Sequence, residues 1–190
     1  IIPGSIASLE KVNIGGVEQW LLIRGKSINN PVLLFIHGGP GSAEGPLVCH
    51  YNKKLEDYFI VVNWDQRGAG KSFSRKVPVE TMTIAQFISD AYQVVDLLRK
   101  RFNQDKIFVI GHSWGSVLGI LTVQKYPQLF YAYIGVGQMV NGKENERLSF
   151  EYALATALAT NNQTAVRALN EINSPIPYWN LEQDGDWFNK

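Results

Sequence analysis

Cysteine is almost absent from this chain: Cys49 is the one thiol in 190 residues. A single thiol closes no internal disulfide, and with three histidines beside it a zinc cluster of Cys/His spacing is excluded. Net charge is nearly absent as well. Eighteen Lys and Arg stand against 17 Asp and Glu, a net of +1. The basic excess that marks a polyanion binder is missing, so nucleic acid is not an expected partner. No stretch approaches about eighteen uninterrupted apolar residues, the length a spanning helix needs. No internal repeat and no low-complexity tract occurs. What is present is the balance of a folded domain, with 45% hydrophobic and 18% charged residues in a chain long enough to bury a core. Ile1 rather than Met opens the chain, which leaves an upstream signal or anchor open. A cytoplasmic location is the default expectation.

The hydrophobic pattern predicts strands first. Leu9 to Ile14 and Val17 to Arg24 are β-rich runs around Gly15-Gly16, a two-residue hairpin signal. Val32 to Ile36, Phe59 to Val62 and Lys106 to Ile110 are apolar without alternation, as strands covered on both faces are. Tyr131 to Gly137 reads as one more buried strand. Between them, Thr83 with Gln86 three residues on forms a capping box. Ile84, Phe87, Ile88, Ala91, Val94, Val95, Leu98 and Phe102 then recur at helical spacing. A second helix is expected from Trp114 to Lys125, ended by Pro127. Strands alternating with helices predict an α/β domain with a mostly parallel sheet and right-handed crossovers. After Val140 the pattern turns helical, with amphipathic segments over Glu144 to Ala159 and Gln163 to Ile172 around Asn161-Asn162. The expected organisation is a core over residues 1–140 and a helical insertion starting over 141–190.

Three motifs carry chemistry. Gly111-His112-Ser113-Trp114-Gly115 follows an apolar strand and opens a helix, which is the setting that gives G-x-S-x-G its meaning. The tight turn lifts the Ser113 hydroxyl above the sheet edge, and the Trp114 peptide N–H at a helix start suits a developing oxyanion. His37-Gly38-Gly39-Pro40-Gly41, also past a buried strand, can bring the N–H of Gly38 or Gly39 beside Ser113 to complete an oxyanion hole. His37 at the strand end suits shaping that loop better than serving as a base. The third motif, Trp64 to Ser72, ends in Gly70-Lys71-Ser72 but carries Asp65 where a P-loop needs its first glycine. Asp65 and Arg67 are therefore expected to brace loops rather than to bind a nucleotide.

On these three motifs, all between residues 37 and 116, the chain resembles the α/β-hydrolase fold and, within it, the prolyl aminopeptidase (proline iminopeptidase) group. The resemblance implies Ser113 as nucleophile, oxyanion donors from Trp114 with Gly38 or Gly39, and a helical cap beginning at Asn141. It implies acyl transfer on an amide of a small molecule or short peptide, most simply an N-terminal proline or another small residue. No cofactor and no metal are implied. Two departures stand out. All three histidines, His37, His50 and His112, precede Ser113, whereas this fold runs serine, acid, histidine along the chain. No carboxylate stands near Gly137-Gln138-Met139, where some relatives place the acid, and Asp184 and Asp186 fall in the expected cap. The 190 residues are thus expected to be the N-terminal portion of an enzyme, inactive alone. The Trp-Glu pair that the group's cap uses to hold a substrate amine is missing too. Glu144, Glu146 and Glu151 are the candidates for that role, against their plainer reading as solvated residues of an amphipathic helix. An esterase and a non-catalytic binding module are the alternative functions. Cys49 reads as a small buried helix residue, and Tyr178, Trp179, Trp187 and Phe188 as cap lining or uncovered core. Oligomeric state does not follow from the sequence.

Overall fold

The computed structural model describes residues 3–171. The opening hairpin forms because Gly15 and Gly16 both take positive φ, 57° and 79°, as a two-residue turn between twisted strands requires. It joins β1 (Ile6–Ile14) to β2 (Val17–Gly25) in antiparallel register. Next come β3 (Val32–Ile36), α1 (Gly45–Tyr51), β4 (Ile60–Asp65), α2 (Ile84–Arg101), β5 (Ile107–His112), α3 (Trp114–Lys125) and β6 (Phe130–Val136). The six strands form one sheet in the order β1-β2-β4-β3-β5-β6. The β4-β3, β3-β5 and β5-β6 pairs are parallel, while β2 meets β4 antiparallel.

Helices α2 and α3 start and stop close to the expected residues. The Thr83 hydroxyl accepts the Gln86 N–H at 3.2 Å, but the Gln86 side chain does not close the capping box. The side chain points along the helix instead, its Nε2 donating to the buried Asp90 Oδ1 at 2.7 Å, a charge-assisted bond. Phe87, Ala91, Val94, Val95 and Leu98 form the buried stripe of α2. Two strands run further than their apolar stretches. β4 continues through Asn63, Trp64 and Asp65, and β5 through Gly111 and His112, because ladder pairing with neighbours does not depend on side-chain polarity.

β6 departs from expectation. It is a strand, but only Phe130 is buried, and Tyr131, Ile134 and Val136 are about half exposed. The reason is its place at the sheet margin: among the described residues β5 is its sole strand neighbour.

Alternation along β2 and β4 sorts the layers. Gln19 and Trp64 face α2, while Leu22 and Asn63 lie under Gly45 of α1. The chain leaves β3 toward β4 on one side and returns to β5 on the other, so the connections around β3 run to opposite sides of it. Such a switch point opens a crevice at the strand ends, and Ile36 pairs with Gly111 directly below it.

The chain divides into two units, Ile1–Met139 and Val140–Lys190. Within the second, α4 (Gly142–Ala159) and α5 (Gln163–Glu171) pack on each other across a turn where Asn161 takes φ 52°. Asn141 caps α4 by accepting the Glu144 N–H at 3.1 Å.

Candidate active site

Ser113 sits at the crevice with φ 52° and ψ −118°, a conformation side-chain-bearing residues rarely adopt and one that costs of order 1–3 kcal/mol. Its surroundings hold it there. Its N–H donates to the Val136 carbonyl at 2.9 Å, and its carbonyl accepts the Ser116 hydroxyl at 2.6 Å and the Ser116 N–H at 2.8 Å. Ser116 Oγ in turn accepts the Met139 N–H at 3.1 Å. Both flanking glycines are sterically required. A methyl on Gly115 would run into the Ile36 carbonyl oxygen, and one on Gly111 into the Gly115 carbonyl. The turn therefore presses directly on β3, and Ser113 is left partly exposed at its apex.

The glycine loop after β3 is tied to the turn through Gln66, a residue that sequence reasoning passed over. Gln66 N–H donates to His37 Nε2 at 3.2 Å, and its amide donates to the His37 carbonyl at 2.9 Å. Its Oε1 accepts the Trp114 indole N–H at 3.1 Å. One side chain thus links the ends of β3 and β4 to the start of α3. His37 is buried, and its Nδ1–H donates to the Gly38 carbonyl at 2.8 Å. With both ring nitrogens engaged and burial pushing its pKa down, it stays neutral as a brace. Gly38 is buried and Gly39 exposed.

Glu44 is the second residue that the sequence did not single out. It lies just before α1, yet its Oε1 accepts the His112 Nδ1–H at 2.6 Å and the Gly38 N–H at 3.3 Å. Its side chain is 15% exposed and that of His112 42%. A carboxylate, an imidazole and a loop N–H therefore meet one residue from Ser113. The only early signal was an acidic residue shortly after a glycine-rich loop, which is common in sequences and specifies nothing.

The Trp64–Ser72 motif serves the scaffold. Asp65 Oδ2 accepts the Lys71 N–H at 2.8 Å, and the Ser72 hydroxyl donates to the Asp65 carbonyl while accepting the Trp20 N–H. Arg67 is buried against Asp90 at 2.9 Å and also reaches the Gly15 carbonyl and Thr81 Oγ1. In the second unit, Glu144 is exposed and paired with Arg147 at 2.6 Å, which also holds Glu151. Glu146 is partly buried on the same helix. Cys49 is partly exposed rather than buried, and burial still pushes its thiol pKa up, so it is a poor thiolate. Asp184, Asp186 and the aromatic residues from Tyr178 onward lie outside the described residues. Among the described residues no His, Cys, Asp and Glu group is arranged to hold a metal, and no helix is long and apolar enough to cross a membrane.

Comparison with known proteins gives a consistent picture. The chain is 45% identical over 148 residues to a Bacillus subtilis protein named "Probable aminopeptidase YbaC", covering 78% of this chain and 46% of that one. It is 34% identical over 99 residues to a "Probable proline iminopeptidase" of Leptolyngbya boryana, covering 52% and 29%. The chain thus spans about half or less of the length of these relatives. Among solved structures, a proline iminopeptidase-related protein from Thermus thermophilus superposes with a TM-score of 0.65 at 22% identity, over 90% of this chain and 58% of that one, a likeness of fold. Epoxide Hydrolase A from Mycobacterium thermoresistibile superposes with a TM-score of 0.57 at 27% identity, over 68% and 39%. The family model described as alpha/beta hydrolase fold matches residues 31–174, from β3 through both motif loops and the strained serine, and the chain belongs to that family.

Proposed function

We propose that this chain carries the nucleophile and oxyanion hole of a serine hydrolase that cleaves an amide by acyl transfer, with an N-terminal proline or other small residue released. The observation that carries the reading is the strained Ser113, held between Val136 and Ser116 and pressed onto β3 at the switch point. The names of the relatives in Bacillus subtilis and Leptolyngbya boryana support an aminopeptidase over other hydrolases. Ser113 Oγ attacks the scissile carbonyl carbon and its proton passes to a base. The oxyanion forms against the Trp114 N–H and a glycine N–H of the loop. The C–N bond breaks as the amine takes a proton, and water then releases the acid and restores Ser113.

The base is not one of the three histidines present. Among the described residues none of them hydrogen-bonds to Ser113 Oγ: His37 spends its ring nitrogens on the Gly38 carbonyl and the Gln66 N–H, His112 stands beside Ser113 in the turn with Nδ1 on Glu44, and His50 lies on α1 against Tyr51. We place the base and its acid outside these 190 residues, and the Val140–Lys190 unit at the start of a cap. The test is labelling of the protein, expressed at its natural full length, with a fluorophosphonate. A single adduct on Ser113, absent from S113A, is expected, and S113A should lose at least ~10⁴-fold of prolyl-amide turnover. Labelling with turnover of short acyl esters but not amides would favour an esterase. No adduct would leave a binding module.

A further inference from the structure

Glu44 is oddly placed for a site that must stabilise an anion. Its carboxylate holds the N–H of Gly38, one of the donors an oxyanion would use, and stands beside the residue preceding Ser113. Left uncompensated, a negative charge there repels the oxyanion it borders. Its Oε1 takes both hydrogen bonds, and among the described residues Oε2 accepts none, although the side chain is only 15% exposed. Among the described residues no Lys or Arg pairs with Glu44, in contrast to Glu144, which Arg147 already neutralises. The arrangement is a carboxylate fixed in place by His112 and the Gly38 N–H, with no Lys or Arg on it among the described residues.

On the reading of Ser113 as nucleophile, we infer that Glu44 binds the free ammonium group of the substrate, so that specificity for an unblocked N-terminus is written into the loop–helix junction after β3. The ammonium group of an aminoacyl amide is two bonds from the scissile carbonyl carbon. With the carbonyl oxygen at the glycine loop, which Glu44 borders through the Gly38 N–H, that group, on this inference, sits against Glu44. The bound cation converts an unfavourable charge pair into a favourable one, and charge-assisted hydrogen bonds are the strong ones. A substrate with a blocked amine meets the bare carboxylate instead. Glu44 is thus a specificity-determining residue, and His112 positions it.

The experiment compares E44Q with the natural protein at its full length, on an aminoacyl p-nitroanilide with a free amine and on a neutral short acyl ester. E44Q is expected to lose about 10²-fold in kcat/KM on the free-amine substrate. On the ester it should keep or gain activity, so that the preference shifts by about two orders of magnitude. Unchanged fluorophosphonate labelling of Ser113 in E44Q shows that the site is still assembled. Equal loss on both substrates, or no change on either, overturns the inference and leaves Glu44 a loop brace. Where E44Q fails to fold, E44D withdraws the carboxylate by one methylene and should show a smaller shift in the same direction, no shift being the overturning result. Absence of labelling in the natural protein overturns the reading of Ser113 itself, and this inference with it.

Discussion

At the scale of single residues, the site is governed by close approaches that leave no room for a methyl group. Gly115 shows which of two opposed effects wins. It lies in the first turn of α3, where replacing glycine by alanine gains about 1 kcal/mol of helix propensity in an exposed helix. Here the added methyl meets the Ile36 backbone, which cannot move aside without disturbing the β3 ladder. Overpacking of a rigid contact costs about 1–3 kcal/mol or more, so G115A is expected to be destabilised by roughly 2 kcal/mol net. A thermal melt checks the loss, and slowed fluorophosphonate labelling checks the accompanying shift of Ser113. A G115A protein as stable as its parent would show that the turn does not rest on β3.

At the scale of elements, one buried ion pair joins the segment after β4 to α2, and Arg67 carries the link on to the Gly15 carbonyl of the first hairpin. Arg67 and Asp90 have fully buried side chains, and the Asp90 carboxylate also accepts from Gln19 and Gln86. Gln19 passes the network on to the Trp64 indole at 2.8 Å. Removing one partner strands a buried charge, which typically costs about 3–5 kcal/mol, whereas replacing both by apolar groups costs much less. D90A is therefore expected to lose about 3–5 kcal/mol in urea unfolding, and R67M/D90L less than D90A alone. A double variant worse than the single one would mean that the pair contributes stability of its own. The sequence held part of this in view, since Arg67 could be read as a brace. Its partner could not be named, because Asp90 sits within an amphipathic helix where a lone acid reads as solvated.

For the whole molecule, His37 and Glu10 contribute to the response to acid with the same sign. Burial holds the His37 pKa below its ordinary 6.5, so the unfolded chain takes up a proton near that pH that the folded chain refuses. Folding stability from this source is constant above about 6.5 and falls as the pH drops below it. Glu10 pairs with Arg101 at 2.8 Å, tying β1 to α2, and that hydrogen bond holds its carboxyl below the ordinary 4.5. Its contribution is present above about 4.5 and is lost as the pH falls through the lower folded value. The thermal midpoint is thus expected to be flat from pH 8 to 7, to decline toward pH 5, and to decline again below 4.5. A midpoint unchanged down to pH 5 would refute the His37 part.

The local code was legible because it repeats along the chain. Apolar runs marked β3, β4 and β5, helical spacing marked α2 and α3, and Gly15-Gly16 marked the hairpin, all through interactions a few residues long. The G-x-S-x-G turn was legible as a motif of one short segment, although what requires Gly115 and helps hold Ser113, the Ile36 and Val136 backbone, is distant in the chain. What only the tertiary structure decided is which distant segments meet. The exposure of β6 followed from its place at the sheet margin, which no run of its own residues encodes. Gln66 became the link between His37 and Trp114 only because β4 ends beside β3. Glu44 and His112 lie 68 positions apart in the chain. They touch because the parallel register sets Ile36 beside Gly111 and brings the two loops to one crevice. Spacing along a chain specifies turns and faces, but the pairing of strands determines which loops share a site.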